Sequence, residues 1–261
     1  MPKKLLILGG THEAYNLAES LSKEFPSKKL IIVSSLSGAT LNPKIPVGTL
    51  RIGGFGGFRG LKNYLEKETI SLVINATHPY ATQISENSYI ASNELRIPYF
   101  RMSRPPWERT VNDNWIDVPN IEAASNYLND YKILLTRKLS KKRVFLTIGT
   151  RDLHFFHKCK FCNFVIRTVD KPIENSFFTK AIYFQGRGPF SLETELELFR
   201  QNSIKMLITK NSGGTSSFAK IEASRELNIP VIMVARPSSN YSENYYSLTE
   251  AIEWVSNEIT L

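Results

Sequence analysis

The stretch ASNELRIPYFRMSRP (Ala91 to Pro105) returns later in the chain as ASRELNIPVIMVARP (Ala223 to Pro237), with eight of fifteen positions identical and no gap. Upstream of it, LVINATH from Leu72 is answered by MLITKNS from Met206. Each copy reads as a strand, a turn, a helix and a second strand closing on Arg-Pro. Further toward the N-terminal side, the turn ILGGT at Ile7 to Thr11 has a counterpart in TIGT at Thr147 to Thr150. A recurrence of this length marks a duplicated structural unit rather than a short motif. The expectation is two similar halves, residues 1–125 and 126–261. The boundary is expected in 118–132, beside the polar, Pro119-containing stretch Asp113 to Asn120.

The segments around the repeat fix the fold class. Leu5 to Leu8, Leu30 to Val33 and Leu72 to Asn75 are short apolar, β-branched runs, the signature of strands buried on both faces. Val144 to Ile148, Phe164 to Arg167, Lys205 to Ile208 and Val231 to Val234 repeat that pattern in the second half. Helical patterns intervene at Glu13 to Lys23 and Gly60 to Lys67. Ser191 reads as an N-cap, with Glu193 and Glu195 in the first turn behind it. Leu248, Ile252, Val255 and Ile259 form one face of a last helix. Alternating strands and helices predict an α/β protein with parallel sheets. Two Rossmann-like domains are expected, with their strand C-termini toward a shared cleft where ligands bind.

Bulk properties narrow the function classes. A length of 261 residues suits two domains of ordinary size, and no apolar run approaches the eighteen or so residues of a membrane span. The apolar run Leu5 to Leu8 is too short for a signal peptide and is cut by Gly9 and Gly10. Two cysteines are too few for a disulfide framework, which fits a reducing cytoplasm. The net charge of +9 calls for an anionic partner. Lys and Arg are spread along the chain without a nucleic-acid module, and the run Lys138 to Arg143 reads as a solvated loop. A multiply charged small molecule together with a nucleotide phosphate accounts for the charge; neither nucleic acid nor membrane is expected.

Gly9-Gly10-Thr11-His12-Glu13-Ala14 follows the first strand and opens the first helix, the place of a dinucleotide-binding turn. It keeps the first glycine of that fingerprint and Ala14 as a packing variant of the third. The Thr11 hydroxyl and the helix N–H groups are expected to hold a phosphate; an ordinary strand-to-helix turn is the other reading. The second strand ends in Ser34 and Ser35, where an NAD site carries a carboxylate for the ribose diol. Without that carboxylate nothing repels a 2′-phosphate, although a simple polar loop has the same composition. Gly53, Gly54, Phe55 and Gly56 belong to a run of four glycines around one Phe, expected to hug a ligand. Thr77, His78 and Pro79 follow the third strand, and His78 reads either as a site residue or as a capping or core residue.

In the second half Lys210, Asn211, Ser212, Gly213 and Gly214 take the corresponding place, a cation, an amide and a hydroxyl suited to an anionic substrate. Arg187 and Gly188 lie in a second Gly-rich loop, QGRGPF. His154, His157, Cys159 and Cys162 form HxxHxCxxC. Zinc ligation is one reading; free buried or surface thiols are the other and the expected one, because the interleaved Phe155, Phe156 and Phe161 look like core and tetrahedral sites draw ligand pairs from separated segments. No metal is expected.

The pieces LLILGGTHEA, RIGGFGG, NATHPYATQIS, RPPWE, VFLTIGTRDL, RGPF and KNSGGTSSFAKIEASRELNIPVIMV run in order through nearly the whole chain. Together they resemble the precorrin-6A reductase family and its cobalt-precorrin counterpart, enzymes of cobalamin biosynthesis. The resemblance implies NADPH bound mainly to the first domain and hydride delivery to an acidic tetrapyrrole. It implies no metal or flavin. With it, Gly9, Gly10, Thr11, Ser34, Ser35, Gly53, Gly54, Phe55, Gly56, Thr77, His78 and Pro79 are cofactor candidates. Arg104, Arg187, Gly188, Lys210, Asn211, Ser212, Gly213 and Gly214 are substrate candidates, and His78 or Lys210 the proton donor. Transient contact with neighbouring pathway enzymes fits this role. A dinucleotide-sensing module without catalysis, or an NADP-dependent reductase of another small acid, are the competing readings.

Overall fold

A computed structural model describes residues 1–130, 143–170, 178, 181–238 and 247–260. It divides into two compact units, Met1–Pro105 with Ser238–Leu261, and Pro106–Pro237. The basic run from Lys138 lies outside the described residues up to position 142.

The first unit holds five strands, β1 (Lys3–Leu8), β2 (Leu30–Leu36), β3 (Thr49–Ile52), β4 (Leu72–Asn75) and β5 (Tyr99–Arg101), in the order β3-β2-β1-β4-β5. All pairings are parallel. Alternation along each strand divides its apolar residues between two cores. Leu5, Ile7, Ile32 and Ile74 meet Leu17 and Leu21 of α1 (His12–Glu24). Leu6, Leu8, Val33 and Val73 meet Leu61 and Leu65 of α2 (Gly57–Lys67) and Ala91 of α3 (Thr82–Glu94). A strand with both faces covered must be apolar throughout, which is why β1 reads as an uninterrupted run.

The second unit holds β6 (Trp115–Val118), β7 (Arg143–Thr147), β8 (Asn163–Thr168), β9 (Ile182–Gln185), β10 (Ile204–Lys210) and β11 (Val231–Val234). Their order is β6-β11-β10-β7-β8-β9, again parallel. Counted from β7, it repeats the first sheet's topology strand for strand, with β6 added at the edge. Its described helices are α4 (Ile121–Asp130), α5 (Leu192–Gln201), α6 (Ala219–Glu226) and a 3-10 stretch at Thr150–Lys158, which stands where α1 stands in the first unit.

The division departs from the expected 1–125 and 126–261, for two physical reasons. Trp115–Val118 is no linker: it pairs with β11, burying Trp115 and Val118. The last helix, α7 (Leu248–Thr260), returns to the first unit. Its Ala251 and Val255 join the core of Leu17, Leu21 and Phe100, and the rings of Phe100 and Trp254 lie 5.2 Å apart. Lys3 Nζ also donates to the carbonyl of Glu258 in α7.

The duplication extends to the helix ends. All four non-glycine residues with positive φ among the described residues, Thr69, Arg96, Ser203 and Asn228, occupy one place, the left-handed residue between a helix and the next strand. After α3, Arg96 N–H reaches Asn93 O and Ile97 N–H reaches Ser92 O at 2.8 Å; after α6, Asn228 N–H reaches Arg225 O and Ile229 N–H reaches Ser224 O at 2.8 Å. These are Schellman closures, which satisfy carbonyls that the helix leaves open.

Candidate functional site

In a sheet of this order the direction of winding reverses between the first and fourth strands, and the loops leaving their C-termini flank the ligand position. In the first unit those loops follow β1 and β4. Gly9 donates from its N–H to Ser35 O at 3.0 Å, and a Cβ there would approach the Ala14 Cβ to 3.1 Å, so glycine lets α1 close on the sheet. Gly10 has φ +102° and faces open space. Thr11 caps α1, accepting from Ala14 N–H at 3.2 Å, and gives its own proton to Ala76 O at 2.7 Å. That proton was expected to reach a phosphate; it is instead committed to the β4 loop. The anion-binding capacity of this turn therefore lies in the backbone N–H groups opening α1.

Arg104 was expected among substrate-binding residues. It pairs with Glu13 in the first turn of α1 at 2.7 Å, offsetting the one carboxylate that would repel an anion there.

At the end of β2, Ser34 is 3% exposed and its Oγ has no hydrogen-bond partner among the described residues. Ser35 lies under Arg51, whose Nη1 is 3.3 Å from the Ser35 Oγ. Arg51 is the residue sequence reasoning missed: the parallel pairing of β2 with β3 sets it opposite Ser35. Its guanidinium donates to Gly53 O at 2.5 Å and Gly54 O at 2.9 Å and lies 3.6 Å from the centre of the Phe55 ring, which packs edge-on against Tyr64. Phe55 thus supports Arg51. Burial lowers the guanidinium from its ordinary value, and Tyr64 works against that shift. Gly53 and Gly56 need their positive φ, and Gly54 needs neither φ nor space, since a Cβ there would meet nothing.

After β4, the fully buried Asn75 organises the Thr77-His78-Pro79 turn. Its Oδ1 accepts from Thr77 N–H at 3.1 Å, Thr77 Oγ1 at 2.8 Å and Arg101 Nη1 at 2.5 Å. His78 Nδ1 accepts from Tyr80 N–H at 3.3 Å, so a neutral His78 ring carries its proton on Nε2.

The second unit presents the same two loops. Gly149, with φ +84°, opens the turn after β7, and Lys210 closes β10. Lys210 Nζ donates to Asp152 Oδ2 at 2.5 Å, joining the two loops. The Asn211 amide is engaged with Trp107: Oδ1 accepts from Trp107 N–H at 2.7 Å and Nδ2 donates to Trp107 O at 3.0 Å. The Trp107 indole N–H reaches Gly214 O at 2.7 Å, and Arg236 holds the carbonyls of Asn211 and Ser212 at 2.9 and 3.0 Å. Ser212 is buried, while Gly213 and Gly214 have φ near +70°. Trp107 and Arg236 are braces that sequence reasoning missed, although Arg236 stands in the repeat's shared Arg-Pro ending.

The QGRGPF loop copies the first unit's glycine loop. Gly186 N–H bonds Thr168 O at 3.0 Å as Gly53 N–H bonds Leu36 O at 2.9 Å. Arg187 is exposed on it, and a Cβ on Gly188 would meet Ser216 O at 2.5 Å. The ladder puts Arg167 where the first unit has Ser35. Its guanidinium is buried against Glu195 at 2.5 Å and lies 3.8 Å from the Phe190 ring centre, so this corner is filled from within.

The HxxHxCxxC residues have other partners. His154 Nδ1 meets Arg151 O at 2.8 Å, the His157 ring packs on Phe178, and Cys159 Sγ lies 3.6 Å from Ser125 Oγ. Burial, then Cys159, push the Cys162 thiol up to about 12. Among the described residues no three His, Cys, Asp or Glu side chains group as metal ligands.

Comparison with known proteins agrees with these paired sheets. The family described as Precorrin-6x reductase CbiJ/CobK matches residues 4–256. The chain belongs to this family. A precorrin-6A reductase of Rhodococcus erythropolis is 36% identical over 253 residues, 97% of each chain. One from Mycobacterium tuberculosis is 38% identical over 234 residues, 90% of this chain and 89% of that one. A solved structure of CobK precorrin-6A reductase superposes with a TM-score of 0.88 at 34% identity, covering 98% and 97% of the two chains. The family is one of oxidoreductases in cobalamin biosynthesis, and with matches of such coverage the chain is an enzyme of that kind.

Proposed function

We propose that the chain reduces precorrin-6A, or its cobalt-bearing form, to the dihydro product at the expense of NADPH. The observation that carries this reading is the open glycine turn at the switch point of the first sheet, backed by the α1 N-terminus. Its counterpart in the second sheet, the Gly149 turn, faces Lys210 at the end of β10 through the Lys210–Asp152 pair.

The residues present fit a dinucleotide. Gly10, Gly53, Gly54 and Gly56 each leave open space where a side chain would stand, so a ligand can lie against the backbone. The N–H groups opening α1 suit a diphosphate, and no carboxylate ends β2 to repel a 2′-phosphate. NADPH, when bound, supplies the hydride. The chain's part is to bind, orient and provide a proton. The Thr77–Pro79 turn, fixed by Asn75 and Arg101, borders the cofactor. Lys210 and Arg187 engage substrate carboxylates, and the proton comes from His78 Nε2 or Lys210 Nζ. The reaction is assigned to the cytoplasm; no described helix is long and apolar enough to cross a membrane.

The test is incubation of the purified chain with NADPH and each macrocycle. Oxidation of NADPH coupled to a product heavier by two hydrogens is expected, with deuterium transferred from C4-deuterated cofactor. A chain that binds the macrocycle and leaves NADPH unoxidised contradicts the reading.

A further inference from the structure

We infer that Arg51, with the Ser35 hydroxyl beside it, grips the adenosine 2′-phosphate and sets the preference for NADPH over NADH; this rests on the cofactor reading above. In the first sheet the phosphate-binding turn leaves β1, the ribose-facing strand end is β2, and the next strand outward is β3. Gly9 N–H is bonded to Ser35 O, so the turn that receives the diphosphate and the end of β2 are one continuous edge. From β1 to β3 is two strand spacings, on the order of 10 Å. A dinucleotide lying along that edge with its diphosphate at α1 brings its ribose over Ser35 and its 2′-substituent toward β3, where Arg51 stands.

The side chain is prepared for an anion. Among the described residues Arg51 uses three of its five N–H donors, on Ser35 Oγ, Gly53 O and Gly54 O. Two remain, and Ser35 Oγ, which accepts from Arg51, keeps its own proton to donate. The two glycine carbonyls and the Phe55 ring fix the guanidinium plane from below and from one edge. Such fixation lowers the entropy lost when a planar fork meets a phosphate. A 2′-phosphate brings one and a half to two negative charges, roughly, to this guanidinium. The second unit supplies the contrast: the residue in Ser35's place, Arg167, is consumed by Glu195 and covered by Phe190, leaving no such grip.

Fluorescence titration of NADPH and NADH against the full chain, with Arg51→Gln and Arg51→Lys, tests this without the macrocycle. The wild-type chain should bind NADPH at least tenfold more tightly than NADH. Arg51→Gln should weaken NADPH by about ten- to a hundredfold and NADH by less than about twofold, equivalent to about 1.4–2.7 kcal/mol carried by the phosphate alone. Arg51→Lys keeps charge but loses the fork and should fall between. Adenosine 2′,5′-bisphosphate should compete with NADPH in the wild type and lose that ability in Arg51→Gln, while adenosine 5′-monophosphate competes equally in both. Equal weakening of both cofactors makes Arg51 a loop brace only and overturns the inference. So does unchanged NADPH binding in Arg51→Gln, which leaves the cofactor reading intact. Failure of the wild-type chain to bind either cofactor removes both.

Discussion

Lys210 and Asp152 join the loops that leave β10 and β7 by a 2.5 Å ion pair, in the position where Thr11 and Ala76 join the loops of the first sheet by a 2.7 Å hydrogen bond. One duplicated gap is closed twice, once by a neutral link and once by a charged one. The neutral closure leaves helix N–H groups for a phosphate; the charged closure holds an ammonium in place.

Lys210→Ala is expected to lower kcat/KM for the macrocycle by about ten- to a hundredfold, with NADPH affinity within about twofold of wild type. Asp152→Asn should reproduce part of that loss, because Nζ is no longer fixed. A double-mutant cycle should show coupling of about 0.5–3 kcal/mol between the two. Additive losses mean that the pair does not act as a unit.

Gly54 separates stability from binding. Its φ lies outside the left-handed region and a Cβ would touch nothing among the described residues. Gly54→Ala should leave stability within about 0.5 kcal/mol of wild type. If the cofactor lies on this loop, the same methyl raises the NADPH dissociation constant roughly tenfold. Calorimetry and a binding titration on one sample decide it.

The left-handed helix closures give a graded series. Thr69 is β-branched and Arg96 is long, so both hold positive φ at a cost that Asn228 largely avoids. Thr69→Gly and Arg96→Gly should each stabilise by about 0.5–1 kcal/mol, raising Tm by roughly 1–4 °C. Asn228→Gly should gain least. The reverse order in a thermal scan refutes the strain argument.

Much of this was legible in the sequence. The repeat, the apolar runs and their spacing dictated two parallel sheets, and the glycine turns landed at strand C-termini as expected. What stayed hidden were contacts made across strands and between loops. Arg51 meets Ser35 through parallel pairing sixteen residues apart in sequence, and no local pattern encodes that neighbour. Thr11 and Asn211 had the right chemistry for ligands, but the Thr11 hydroxyl donates to Ala76 O and the Asn211 amide donates to Trp107 O. Polar residue type announces hydrogen bonding without saying to whom. The boundary was misplaced because β6 is short and flanked by polar residues, so its two buried side chains were outvoted by their surroundings.

Asp113 carries an acid-side stability. Its side chain is 1% exposed and accepts from Arg225 Nε and Nη2 at 3.0 and 3.2 Å. Burial by itself would raise the carboxyl, but the bonds from Arg225 and Thr110 outweigh it and hold it below the ordinary value. A depressed folded value stabilises at neutral pH and loses that contribution as pH falls below about 4. Asp113→Asn should cost about 1–3 kcal/mol at pH 7 and flatten the acid limb of the stability profile. An unchanged acid limb counts against it.

The Cys162 thiol, pushed up to about 12, has the opposite slope. Above about pH 8.5 the unfolded chain loses this proton while the folded one keeps it, so stability should fall as pH rises. Cys162→Ser should make that fall shallower. Iodoacetamide at pH 7.5 should modify Cys162 rapidly only after denaturation. Rapid native labelling contradicts the burial.

The return of α7 to the first unit makes the second unit an insertion within the first. On the ribosome, residues 106–237 are all translated before the helix that completes the earlier-started core. The later-begun half is therefore the first to have its whole sequence available, while the other waits with the face formed by Leu17, Leu21 and Phe100 uncovered. Biogenesis thus runs against chain order, and the interval before α7 emerges is when a chaperone has an apolar surface to hold.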